Sequence, residues 1–267
     1  MNVDNKNFII TGASQGIGRE VARLLAVKGA NVCIIARTQS KLAAAKKYIE
    51  KEAAPNVEVL TIAADISNKA HVKKVATEIK RKWKKIHGLL NIAGHSHPGE
   101  FLKIPLEKFE QINSTKYLGS VYMSQALLPL LEDGGHLSFT SSVLGYMGLY
   151  GHSAYVGPSF AMFGLAETLE QELMERKIKV CVFCPADTLT PGYEEEKKTQ
   201  PYVTKKISET AKLMEPSEVA KIFIKKMFKG KFVILMNFES AMLYRLFGIV
   251  PSLARYLVRR LVKKYSK

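Results

Sequence analysis

Residues 9–20 read IITGASQGIGRE: a short apolar run, a loop with spaced glycines, and the first turn of an amphipathic stretch. Gly12, Gly16 and Gly18 give the spacing G-x-x-x-G-x-G. A strand that turns through such a loop into a helix leaves free N–H groups at the helix N-terminus, where an anion is favoured. Glycines let the chain turn tightly and approach a pyrophosphate closely. A glycine triplet alone is weak. A strand before it and a helix after it make it a nucleotide loop.

The same alternation continues along the chain. NVCIIAR, VEVLTIAAD, GLLNIAG, GGHLSFTSS and KVCVFCPAD read as strands. SKLAAAKKYIEKEA, with Ser40 as its expected N-cap, KAHVKKVATEIKRKWKK and AMFGLAETLEQELMERK read as helices. LEKFEQINSTKYLGSVYMSQALLPLL reads as one long helix. Strict alternation of this kind predicts an α/β fold, a doubly wound parallel sheet with helices on both faces. A helix over 217–229 and a strand KFVILM complete a domain expected to span 1–237. Residues 190–215 read as an inserted substrate lid, and 238–267 as a separate basic tail.

The 267 residues suit one large domain. They carry 40 Lys+Arg against 24 Asp+Glu, a net charge of +16, which points to an anionic ligand, an anionic surface or solubility. Cys33, Cys181 and Cys184 are too few for a disulfide framework. Cys181 and Cys184 form a C-x-x-C, but inside a strand, so they read as core thiols. The six histidines show no metal spacing. The start, with Asp4, Lys6 and only FII before the loop, does not read as a signal peptide, and no run reaches the ~18–20 apolar residues of a membrane span. The expectation is a cytoplasmic protein, free or peripheral on the cytosolic face of a membrane.

The end of the second strand selects the cofactor. A carboxylate there would hold the ribose 2′-OH of NAD. This chain has Ala36, then Arg37, with Lys41 one turn on. A guanidinium pairs with a 2′-phosphate, so NADP or NADPH is expected.

Together these residues resemble the short-chain dehydrogenase/reductase family. Asp65 in AADIS resembles its adenine-contacting aspartate, and Asn91–Gly94 (NIAG) its N-x-A-G strand end. Ser142 stands thirteen residues before Tyr155, the family's gap from substrate serine to catalytic tyrosine. The resemblance covers about residues 5–235 and implies a Rossmann fold with a seven-stranded parallel sheet. It implies cofactor contacts at Gly12, Ser14, Gly16, Ile17, Gly18, Arg37, Lys41, Asp65, Ile66, Asn91, Ala93, Gly94, Tyr155, Pro185, Thr188 and Thr190, no metal, and a homodimer or homotetramer. The strings PADTLTPGYEEEKKTQP, ISETAKLMEPSEVAK and KYLGSVYMSQALLP are similar to those of the 3-ketodihydrosphingosine reductases within that family. That likeness implies NADPH-dependent reduction of a long-chain 3-ketone at the cytosolic membrane face.

One departure bears on the chemistry. In the family a tyrosine protonates the carbonyl oxygen, and a lysine four residues later lowers its pKa. That lysine position holds Ser159 here. The family's relay asparagine stands three residues before the glycine of N-Y-L-G-S, and this chain has Lys116 there, in STKYLGS. The paired exchange predicts that Lys116 projects into the space left at Ser159 and sets a positive charge beside Tyr155. Asn113, one turn earlier, is placed to take part of the asparagine role. The opposing reading is a catalytically weak or inactive NADP(H)-binding protein, and a third is a reductase of another lipid or steroid ketone. His95 and His97, after the fourth strand, and His152 are candidates to flank the cleft.

From Tyr244 the tail carries Arg245, Arg255, Arg259, Arg260, Lys263, Lys264 and Lys267 without an acid. Ala254, Leu257, Val258, Leu261 and Val262 fall on one helical face. Such a helix suits an anionic membrane surface, or docks on its own body or a second subunit. No nucleic-acid recognition motif or stacking series is present.

Overall fold

The computed structural model describes residues 3–266. Residues 1–2 of the expected domain and Lys267 of the tail lie outside the described residues. Strand β1 (Asn7–Thr11) leads through the glycine loop into helix α1 (Gly16–Val27). Then follow β2 (Asn31–Ala36), α2 (Gln39–Glu50), β3 (Val59–Ala63), α3 (Lys69–Trp83) and β4 (Ile86–Asn91). After α4 (Leu106–Asn113) and α5 (Gly119–Leu127) come β5 (Leu131–Thr140), α6 (Ser153–Glu172) and β6 (Lys179–Cys184). Helices α7 (Pro191–Lys197) and α8 (Tyr202–Ser208) precede α9 (Pro216–Phe228), β7 (Val233–Leu235), α10 (Phe238–Ile249) and α11 (Pro251–Tyr265).

The seven strands form one sheet in the order β3-β2-β1-β4-β5-β6-β7, every pair parallel. Helices cover both faces, so the central strands are buried on both sides and read as nearly continuous apolar runs. One core joins α1, α2 and α9 to the sheet through residues such as Leu25, Ile49 and Phe223. The other joins α3, α5 and α6 through Val75, Met123 and Met162. Cys181 belongs to the first core and Cys184 to the second, so the C-x-x-C thiols lie on opposite faces of the sheet. The chain reverses direction across the sheet between β1 and β4. This switch point opens a crevice at the carboxyl ends of the strands, where ligands bind in open α/β sheets.

Two local expectations change. Helix α2 begins at Gln39 with Thr38 as N-cap, not Ser40. Thr38 holds the extended backbone a cap requires, at φ −103° and ψ 111°. The expected single helix over 106–131 is broken by a π-helical turn at Ser114–Leu118, and it ends in a 3-10 turn at Leu128–Leu130, where Pro129 stands. A π turn inserts an extra residue into the helical register and re-aims the side chains around it.

The C-terminal segment docks on the body. Tyr146 donates to the Ser240 carbonyl at 3.1 Å, and Tyr244 packs between Tyr146 and Phe163. Helix α11 lies against α8 and α10. Its inner stripe is Ala254, Val258, Leu261, Val262 and Tyr265, whereas Leu257 is exposed. Among the described residues no helix is long and apolar enough to cross a membrane.

Phe183 and Phe223 meet with ring centroids 4.3 Å apart, tying α9 to the sheet. Phe223 is fully buried. Replacing it with Ala is expected to lower stability by about 3–5 kcal/mol, read as a fall in the denaturant midpoint with unchanged slope.

Candidate active site

The glycine loop is built for close approach. A Cβ on Gly12 would lie 2.7 Å from the Ala93 Cα, and one on Gly18 would lie 2.6 Å from the Gly12 carbonyl oxygen. Gly12 and Gly16 hold φ of +68° and +58°, the left-handed region that favours glycine. The Thr11 hydroxyl accepts from the amides of Ile92 and Ala93, each at 3.1 Å, and so locks the end of β4 to the end of β1. Ser14 and Ile17 are half-buried beside this cradle. Thr190 caps α7 by accepting from the Tyr193 amide, and its methyl group faces Gly16. Pro185 and Thr188 lead from β6 toward it, Thr188 buried with its hydroxyl on the Ala186 carbonyl.

Arg37 and Lys41 are exposed at the end of β2, and neither forms a salt bridge among the described residues. Asp65 accepts from the amide and hydroxyl of Ser67 at 2.9 and 2.7 Å. Burial pushes its carboxyl up, but Ser67 and the Arg37 charge outweigh burial and hold it below its ordinary range. Ile66 is buried against Gly119. The cradle with no room for a Cβ, the carboxylate at the β3 end and the unpaired cations at the β2 end fit a phosphorylated dinucleotide.

The carboxyl edge also collects the polar chemistry. Lys116 enters from the π turn, only 2% exposed. Its Nζ donates to the Tyr155 Oη at 3.1 Å and to the Ser141 carbonyl at 3.1 Å. Gly94 lies alongside: a Cβ there would be 4.0 Å from that nitrogen. Burial lowers the Lys116 pKa from its ordinary 10.5 to about 7, against the upward pull of Cys184 and Glu196. Burial pushes the Tyr155 phenol up and the Glu196 charge adds to this, while the hydroxyls of Ser159 and Ser142 pull it down. Ser142 begins a 3-10 turn, its hydroxyl accepting from the Leu144 amide at 3.2 Å.

Three further sequence candidates have defined surroundings. The Ser159 hydroxyl donates to the Tyr155 backbone carbonyl at 2.8 Å, so within α6 it serves as a helix back-bond. Its carbonyl accepts from the Ser141 hydroxyl at 2.8 Å, which fixes the loop that receives Lys116. Asn91 is buried with its amide turned toward Ser124 of α5 at 3.3 Å. Asn113 is exposed at the end of α4 and does not enter the relay. His95 lies in the cleft, its pKa lowered by burial and by the charges of Arg37, Lys108, His97 and Lys116. His97 is lowered by burial and Lys108, and His152 is buried and pushed down to about 4. Among the described residues no three His, Cys, Asp or Glu side chains converge as a metal site. Sequence reasoning missed Ser141, whose carbonyl holds Lys116, and the inward turn of Glu196.

The chain belongs to the short chain dehydrogenase family, whose match spans residues 6–201. Among curated relatives it is 38% identical over 250 residues to the 3-ketodihydrosphingosine reductase of Mus musculus, covering 92% of this chain and 75% of that protein. It is 36% identical over 247 residues to the 3-dehydrosphinganine reductase of Danio rerio, covering 91% and 74%. Among solved structures, a short chain dehydrogenase/reductase from Burkholderia phymatum in complex with NAD matches at TM-score 0.82, with 21% identity, over 95% of this chain and 96% of that one. L-sorbose reductase from Gluconobacter frateurii, complexed with NADPH and L-sorbose, matches at TM-score 0.76, with 23% identity, over 85% and 92%. These two share the fold.

The buried amine has a measurable cost. Its folded pKa of about 7 lies below the ordinary 10.5 of an exposed lysine. Its contribution therefore destabilises most below about pH 7 and eases as pH rises toward 10.5. Lys116→Met is expected to raise stability by about 1–4 kcal/mol below pH 7. The gain should shrink in melts run at progressively higher pH.

Proposed function

We propose that the chain is an NADPH-dependent reductase of a long-chain 3-keto sphingoid base, 3-ketodihydrosphingosine, giving the alcohol. The observation that carries this reading is the Lys116–Tyr155 hydrogen bond at 3.1 Å. It puts a lysine beside the phenol although the usual lysine position holds Ser159. The curated relatives' names supply the substrate class. NADPH, when bound, supplies the hydride.

Tyr155 supplies the proton. Burial keeps its phenol protonated, which suits a donor. Ser142, at the head of its turn, orients the ketone oxygen toward that phenol. Once the proton leaves, the phenolate lies beside the Lys116 nitrogen, whose ammonium form stabilises it and returns a proton. Arg37 and Lys41 hold the 2′-phosphate of NADPH.

The basic helices α10 and α11 set the enzyme against an anionic membrane surface, where such a ketone resides. Arg245, Arg255, Arg259, Arg260, Lys263 and Lys264 are exposed, and so are Phe238, Met242, Leu253, Tyr256 and Leu257. Exposed cations interleaved with apolar side chains suit the interface of an anionic bilayer.

Purified protein with NADPH and 3-ketodihydrosphingosine should lose absorbance from the reduced cofactor. NADPH binding without turnover would overturn the reading. Lys116→Met should lower kcat by roughly 10²-fold or more. The wild-type reductive rate should fall as pH rises through about 7, where Lys116, facing Tyr155, Cys184 and Glu196, loses its proton. That limb should be absent in Lys116→Met. Arg37→Ala should weaken NADPH by about 10-fold or more while sparing NADH. Reversing Arg255, Arg259 and Lys263 to Glu should release the protein from anionic vesicles in flotation, at about 1 kcal/mol per charge.

A further inference from the structure

The residue that follows β5 is tied on two sides. The Ser141 amide donates to the Phe183 carbonyl of β6 at 2.8 Å. The Ser141 hydroxyl donates to the Ser159 backbone carbonyl of α6, also at 2.8 Å. Both serines are fully buried. Between these anchors the Ser141 carbonyl is the shared acceptor of the proton-donor pair. Lys116 donates to it at 3.1 Å and Tyr155 at 3.4 Å, while Lys116 and Tyr155 stand 3.1 Å apart. The three polar atoms close a triangle whose corners come from the π turn, the end of β5 and the head of α6.

Gly145 makes room for the tie to α6. It lies in the 3-10 turn that Ser142 heads. A Cβ on Gly145 would strike the Ser141 hydroxyl and lie 3.0 Å from the Ser159 carbonyl oxygen. The position that usually holds the lysine therefore contributes here through its backbone carbonyl, one bond removed from the triangle. A hydrogen bond weakens steeply once its angle is lost, so the aim of the Ser141 carbonyl matters to both donors.

We propose that Ser141 is a positioning residue: its hydroxyl, bound to the Ser159 carbonyl, aims the Ser141 carbonyl at Lys116 and so keeps the amine charged beside Tyr155, with Gly145 leaving it the space. This rests on the proposed function, in which the Lys116 ammonium stabilises the phenolate. A carbonyl oxygen aimed at an amine favours its charged form. It works against the burial that lowers the Lys116 pKa. The other titratable groups facing Lys116 are Tyr155, Cys184, Glu196 and His95. Without the hydroxyl the carbonyl loses its second anchor, and burial acts on the amine with less opposition.

The test is the pH profile of reduction with NADPH and 3-ketodihydrosphingosine. Ser141→Ala should lower kcat by about 10-fold or more and leave KM within about twofold. The fall in rate that the wild type shows through about pH 7 should move to lower pH by about half a pH unit or more. Gly145→Ala, which keeps the hydroxyl but fills its space, should do the same. Ser138→Ala is the control, because Ser138 is a fully buried serine of β5 whose hydroxyl has no partner. It should keep the wild-type kcat and profile. NADPH binding, read by fluorescence, should be retained in all three variants. A profile unmoved in Ser141→Ala, or an equal loss in Ser138→Ala, overturns the proposal. A wild-type kcat in Gly145→Ala overturns the part given to Gly145. If the wild type reduces no ketone, the proposed function falls separately, and the tie is read in melts. The stability gained by Lys116→Met should level off below about pH 7 on the wild-type background. On the Ser141→Ala background it should go on growing to lower pH. Identical curves on the two backgrounds overturn the proposal.

Discussion

The constraint on which the site depends is the close approach of two strand ends. The Thr11 hydroxyl binds the amides that follow β4, and Gly12 passes Ala93 with no room for a side chain. That clasp closes the switch point of the sheet and fixes where Gly94 lies. Gly94 in turn lies against the Lys116 side chain, which runs past it to the phenol. The cradle for a dinucleotide and the buried amine therefore adjoin one backbone contact.

Burial governs the chemistry built on that contact. Lys116 and Tyr155 are both pushed toward their neutral forms, because charge is unfavourable in a dry interior. The two side chains hydrogen-bond to each other and to the Ser141 carbonyl, so neither the amine nor the phenol is left stranded. The same burial acts on Glu196, raising its carboxyl to about 7. Lys116 and Glu196, both brought to about 7, exchange protons near neutrality with little energetic cost, which suits a site that must give a proton away and recover it.

The fold was legible because each of its signals is local. Alternating apolar runs gave the sheet, and Gly12, Gly16 and Gly18 marked the loop. The reach of Lys116 to Tyr155 was inferred from a paired exchange, and the distance agrees. The π turn at Ser114–Leu118 that delivers it carries no composition of its own, so the run read as an unbroken helix. The sequence marked the space left at Ser159 but not the partner of its hydroxyl, a backbone carbonyl one turn away. Glu194, Glu195 and Glu196 look alike as letters, and only the angle of α7 on the body decides which one faces inward. The docking of the tail depended on Tyr146, Phe163 and Tyr244 meeting across long stretches of chain, a tertiary fact no window reveals.

A lysine four residues after a tyrosine is held to it by one turn of a single helix. Here the two partners ride on different helices, and a small cluster of Ile104, Ile112 and Ala154, with Phe109 and Tyr155 against it, joins them. Their spacing is thus a property of a joint. Packing between two elements, and not the turn of one helix, therefore sets the distance from amine to phenol.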